Sequence, residues 1–187
     1  MPKKTIGRID KADFPTLDLL DIDIKVDTGA YTSSIHCHRY YEEDGVLKCL
    51  FYDKEHKHYN RKIIVFKNFD TTRVKSSNGL VQQRYKVKTK IVLFGKKYSI
   101  YLTLSDRNDM KFPILIGRKF LLRKFVVDVS LKHVSYKLKV NSEDSDQNKK
   151  SKKINNHTAY TIKTSKINPN IIFIGSRKSM FILEYNN

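Results

Sequence analysis

The chain has 187 residues, with 37 Lys and Arg against 19 Asp and Glu, for a net charge of +18. That is length for one core-forming domain with a tail, and a balance that favours acidic partners. Two cysteines, Cys37 and Cys49, make no disulfide framework, no run nears the roughly 20 apolar residues of a membrane span, and MPKKTIGRID carries no secretory signal, so a cytoplasmic protein without membrane association is expected.

The basic residues are mostly Lys, spread singly through strand-like segments. A generic solvated surface explains them slightly better than a dedicated nucleic-acid site. Period-2 patterning runs through the first 140 residues or so. An apolar strand leads into IKVDTGAYTSSIH, from Ile24 to His36. RKIIVF is a further short strand. RVKSSNGLVQQRYKV places Asn78-Gly79 between extended flanks, a strong hairpin signal because both residues accept positive φ. In YKVKTKIVLFGKKYSIYLTL the inward set is Val87, Thr89, Ile91 and Leu93, then Tyr98, Ile100, Leu102 and Leu104. The turn between them spans Phe94-Gly95-Lys96-Lys97. GRKFLLRKF, after Gly117, is the one short helix expected. FVVDVS and VSYKLKV read as closing strands. The fold class is therefore all-β, a barrel or sandwich.

After Val140 the composition turns polar, and residues 141–157 read as a linker. Its QNKKSKK run is a candidate anionic-partner tether, though a solvated linker explains it as well. AYTIKT and IIFIGSRKSMFIL, within 158–187, look strand-like, the second as a hairpin around Gly175-Ser176. Their role is open, and no internal repeat is found. The expected organisation is a domain over 1–140, the linker, and this extension.

Asp27-Thr28-Gly29-Ala30 interrupts an apolar strand, and hydroxyls follow at Thr32, Ser33 and Ser34. Alone, such a tripeptide is an ordinary turn. Downstream, FPILIGRKFLLRKF brings an apolar strand to Gly117-Arg118 and a helix. The Asn-Gly hairpin lies between the two. Acid loop, hairpin and apolar-Gly-Arg-helix, in that order, resemble the retropepsin-like aspartic peptidases, whose fold is a closed barrel with a flap hairpin and one short helix. More narrowly, the chain is similar to a bacterial group labelled "ATP-dependent zinc protease", found beside or fused to a glutamate ligase that modifies ribosomal proteins. IGRID, IKVDTGAYTSSIH, RVKSSNGLVQQR, LTLSDRNDMKFPILIGRKFL and FVVD carry the likeness, over roughly residues 6 to 128.

The resemblance implies an aspartic endopeptidase. Two Asp carboxylates face each other across a shared water, and like charges that close share one proton. Asp27 would be the catalytic acid. Thr28 would hydrogen-bond across paired loops, and Gly29 would let its backbone approach the second carboxylate. Lys75, Ser76, Ser77, Asn78 and Gly79 would form a flap over an extended peptide. Asp106, Arg107, Asp109, Gly117 and Arg118 are candidate site-lining residues. There is one Asp-Thr-Gly and no second Asp-Ser/Thr-Gly, so the dyad requires a homodimer. The ligase association implies an acidic or glutamylated peptide or protein as substrate, and a ribosomal or ligase partner. Asp21 and Asp23 read as a solvent face, and Asp106, Asp109 and Asp128 as structural. Tyr31 stands where the wider group carries an acid that pairs with the Gly-Arg arginine, so Arg118 needs a different partner.

Two rivals follow from the residues. A basic barrel could be a non-catalytic binding module for a ribosomal, nucleic-acid or acidic-peptide partner. His36, Cys37, His38, His56 and His58 invite a metal, but H-E-x-x-H and C-x-x-C are absent and histidines at i, i+2 are common on strands. His36 follows the family pattern, and His38 is expected at the surface. The phosphate-cradling G-x-x-x-x-G-K-[ST] is also missing. No metal and no cofactor are expected.

Overall fold

The computed structural model describes residues 2–75, 79, 81–106, 112–155, 161–164, 171–176 and 179–184. They fall into two compact units, 1–139 and 140–187. The first holds strands β1 (Lys4–Phe14), β2 (Leu19–Asp27), β3 (Ser33–His36), β4 (Arg39–Glu43), β5 (Val46–Leu50), β6 (Ile63–Phe66), β7 (Phe69–Lys75), β8 (Val81–Leu93), β9 (Lys96–Ser105), β10 (Ile114–Gly117) and β11 (Phe125–Lys132). Helix α1 (Arg118–Leu121) is one turn, and α2 (Val134–Asn155) begins in the first unit and runs into the second. The second unit also carries β12 (Thr161–Thr164), β13 (Ile171–Ser176) and β14 (Ser179–Glu184), an antiparallel three-stranded sheet.

Six strands close into a barrel in the order β1–β2–β10–β3–β9–β8, the ring being completed by Asp13 of β1 beside Val92 of β8. Strand β11 continues the sheet alongside β1 in parallel, and β7 continues it beyond β8. β4, β5 and β6 form a separate antiparallel sheet. Closure removes the open edges of the six ring strands.

Alternation places the core. Val87, Thr89, Ile91 and Leu93 on β8 and Ile100, Leu102 and Leu104 on β9 are all buried, as their pattern predicts. They meet Ile22, Ile24 and Val26 of β2, Ile35 of β3, and Ile114 and Ile116 of β10. The β8–β9 turn is two residues, Phe94 and Gly95, both at positive φ (53° and 69°). This is the backbone that matches strand twist in a tight hairpin. Thr89 is buried and its hydroxyl meets that of Thr16 at 2.5 Å.

Two expectations are corrected. VSYKLKV is not a strand; it is the start of α2. Its amides at Ser135 and Tyr136 donate to the buried Asp10 carboxylate (2.9 and 3.1 Å), a cap supplied from β1. Lys139, one turn on, reaches Asp13 and Asp21. Burial opposes charge on Lys139, but those hydrogen bonds outweigh it and raise its pKa. The barrel therefore carries a second helix beside the short one expected. The polar stretch after Val140 continues α2 as far as Asn155.

Candidate active site

Strand β2 delivers Asp27 to the barrel's end, with Gly117 of β10 directly beside it in parallel register. The chain then leaves the strand through an Asx-type turn. Asp27 Oδ1 accepts from the amides of Gly29 (3.0 Å) and Ala30 (3.1 Å). That fixes one carboxylate oxygen against the loop. Asp27 and Ala30 are half-buried, whereas Thr28 and Gly29 are exposed. The loop therefore presents its tip outward.

Five hydrogen bonds tie the loop and the start of β3 to β10 and α1. Arg118 Nη1 donates to the carbonyls of Thr28 (2.9 Å) and Gly29 (3.3 Å). This is the alternative partner that Tyr31 makes necessary: the guanidinium braces the backbone of the acid loop. Arg118 and Lys119 amides donate to the carbonyls of Ala30 and Tyr31. The Gly117 amide donates to the buried Ser33 hydroxyl at 3.0 Å. Gly117 is required for this approach, because a Cβ there would lie 2.5 Å from the Thr32 carbonyl oxygen and 2.9 Å from that of Tyr31. Tyr31 itself is 61% exposed, with Lys119 Nζ 5.9 Å from its ring centroid.

The hairpin expected to act as a flap is built from β7 and β8, paired up to Lys75 opposite Val81. Gly79 has φ +81° with open space around it, a left-handed turn position. Ser76, Ser77 and Asn78 lie outside the described residues, as do Arg107 and Asp109. Asp106 is exposed at the end of β9. Burial first, and the negative charge of Asp106 second, raise the pKa of the Tyr40 hydroxyl. Asp23 pairs with Lys57, and Asp128 accepts from the Ser130 amide and hydroxyl. Both are structural.

The histidines form a network of their own. Asp53 bridges His36 Nε2 (3.1 Å) and the exposed His38 Nδ1 (2.5 Å). Tyr52 is buried between His36 and His56, its ring 4.3 Å from that of His56. Burial lowers the pKa of both His56 and His58, with Lys57 and, for His56, the neighbouring His58 adding to the effect. Among the described residues no group of three His, Cys, Asp or Glu is arranged to hold a metal ion. Cys37 and Cys49 are free and buried, and the hydrogen bond to Cys49, followed by burial, raises the Cys37 pKa. Among the described residues, no helix is long and apolar enough to cross a membrane.

Sequence reasoning missed Asp10 and Asp53. Asp10 sits in an alternating strand and looks like any surface acid. For Asp53, the signal was the His-x-His pair, which needs a shared acceptor when one ring is buried.

A crystal structure of the protein Lpg0085 from Legionella pneumophila, of unknown function, superposes with a TM-score of 0.55 at 24% identity. It covers 72% of this chain and 99% of that one, and shows the fold. Proteins named probable alpha-L-glutamate ligase from Shewanella halifaxensis and Shewanella pealeana are each 37% identical over 134 residues. One from Desulfotalea psychrophila is 31% identical over a similar stretch. The match takes in 68–69% of this chain and 29% of each relative, so the chain aligns with under a third of those proteins. The family model described as "RimB-like: Retropepsin-like aspartic endopeptidase RimB" matches residues 5–138. The closed barrel, the Asp27 loop and that match over most of the chain together make this protein a member of the RimB-like, retropepsin-like family.

Proposed function

We propose that the protein is an aspartic endopeptidase acting as a homodimer, each chain supplying one Asp27 to a shared dyad. The observation that carries this reading is the construction around Asp27. One carboxylate oxygen is held by two loop amides, the loop is clamped by Arg118, and the tip faces outward where a second copy could meet it. In such a dyad the ionised carboxylate takes a proton from the water. The water oxygen bonds to the peptide carbonyl carbon, and the protonated carboxyl donates to the carbonyl oxygen. The tetrahedral diol then collapses: the carboxyl that took the water proton passes it to the nitrogen as the C–N bond breaks, and the other carboxylate takes a proton back from a diol hydroxyl, which restores the dyad. The pair titrates as a unit, so the acid and base roles belong to neither chain alone.

The substrate we propose is an extended acidic or glutamylated peptide taken under the β7–β8 hairpin. The net charge of +18 and the relatives named as probable glutamate ligases support this choice, and also an association with such a ligase or a ribosomal protein. Free buried cysteines support a cytoplasmic setting.

Asp27→Asn is the direct test. Pure variant should lose at least about a thousand-fold in peptide cleavage, keep its fold by circular dichroism, and still dimerise in sedimentation. Wild-type activity should be bell-shaped in pH. Cleavage retained by the pure variant would refute the dyad. So would a crystal dimer with its two Asp27 carboxylates far apart, which would leave the barrel as a binding module.

A further inference from the structure

Outside the acid loop, the most unusual surface is the outer face of the β8–β9 hairpin. Alternation puts Lys86, Lys88 and Lys90 on one side of β8, opposite Thr103, Tyr101 and Ser99 of β9. Successive lysines are thus about 7 Å apart, comparable to the separation of phosphates along an extended single strand. Lys119 and Lys124, from α1 and the turn after it, close the same face. Two adjoining clefts, of about 210 and 420 Å³, share Lys86, Tyr101 and Lys119 in their walls. Lys124 lines the smaller and Lys88 the larger.

Tyr101 is 49% exposed in the middle of this face. Lys86 and Lys88 Nζ each lie 5.8 Å from its ring centroid. Among the described residues the one acid lining the clefts is Asp70, which pairs with Lys86 at 2.6 Å and takes that charge out of the count. Lys90 is steadied by Ser99 (2.7 Å) and Lys124 by the Phe120 carbonyl (2.9 Å). An exposed ring flanked by spaced cations is the arrangement that stacks a base while neighbouring phosphates are neutralised. An acidic peptide is the rival occupant: its carboxylates would pair with the lysines but leave the exposed Tyr101 ring without a planar partner, whereas a base with flanking phosphates uses both.

We propose that this face, formed by Lys86, Lys88, Lys90, Tyr101, Lys119 and Lys124, binds single-stranded nucleic acid, with a base on Tyr101 and phosphates on the lysines. The smaller cleft reaches Thr32 and Ser33, just after the acid loop, but Asp27 is not among the residues proposed to hold the strand, and binding there does not depend on peptidase activity.

The test is fluorescence anisotropy of the full chain with a labelled oligouridylate of about 12 nucleotides, and with an oligoglutamate peptide as comparator. Four lysines beyond Lys86 predict a log–log salt slope near −3, or about a 50-fold loss between 50 and 200 mM salt. Lys88→Glu/Lys90→Glu should flatten the slope to about −1.4. Tyr101→Ala should weaken binding about 5- to 150-fold, and Tyr101→Phe should restore it, since stacking needs the ring. Reversing two lysines elsewhere, Lys132→Glu/Lys137→Glu, should change affinity far less. Equal losses from the two double reversals, no effect of Tyr101→Ala, or tighter binding of the peptide than of the oligonucleotide would each overturn the proposal. Asp27→Asn should leave oligonucleotide binding unchanged, so the peptidase and binding readings fail separately.

Discussion

Gly117→Ala tests the coupling between barrel and acid loop. The added Cβ would sit 2.5 Å from the Thr32 carbonyl oxygen, 2.6 Å from its carbon and 2.9 Å from the Tyr31 oxygen. All three are backbone atoms, so no side chain can swing away, and either β10 or the loop must move. Overpacking of this kind costs about 1–3 kcal/mol. Displacement also strains the buried bond from the Gly117 amide to Ser33, worth about 1 kcal/mol. A loss of about 2–4 kcal/mol is expected. At about 2–4 °C per kcal/mol for a chain of this size, the melting temperature should fall by about 4–16 °C. Urea denaturation and calorimetry read both quantities. Ser33→Ala isolates the hydrogen-bond part, at about 1–3 kcal/mol for an orphaned buried amide. Gly95→Ala is the control: a Cβ there meets nothing within 4 Å, so its cost is only the left-handed backbone, about 1–2 kcal/mol. If Gly117→Ala stays within about 0.5 kcal/mol of wild type, the close approach of β10 to the loop is wrong.

Arg118→Lys replaces a fork by a point charge that cannot keep both the Thr28 and Gly29 carbonyls. Stability should change by no more than about 1 kcal/mol, while peptide cleavage falls at least about ten-fold through loop misplacement; unchanged kcat would refute the bracing role. Asp10→Asn leaves one acceptor oxygen for the three amides of Lys11, Ser135 and Tyr136. It should cost about 2–3 kcal/mol and speed amide exchange in the first turn of α2. Burial depresses the folded pKa of His56 and His58, so the folded state resists their protonation. The stability they confer is complete above the ordinary histidine pKa of about 6.5 and is lost as pH falls below it through the folded values. Melting temperature should therefore drop on mild acidification, and His56→Asn/His58→Asn should flatten that slope.

Much was legible in the sequence because its causes are local. Alternation on β8 and β9 marked the inward residues, since side chains on a strand point to opposite faces with period two. The Gly95 and Gly79 turns were visible because positive φ favours glycine. Asp27-Thr28-Gly29 with the Gly117-Arg118 segment located the loop. Tertiary structure decided the rest. VSYKLKV alternates like a strand, yet it is a helix because Asp10, more than a hundred residues earlier, caps its amides. The missing partner of Arg118 proved to be backbone carbonyls, which carry no sequence signal at all. The need for Gly117 came not from a turn but from another segment's carbonyls lying where a Cβ would be. Local patterning reports the conformation a segment prefers and the face it buries. Which distant group satisfies an amide, a guanidinium or a buried imidazole is set only when the barrel closes and brings those groups within hydrogen-bond reach.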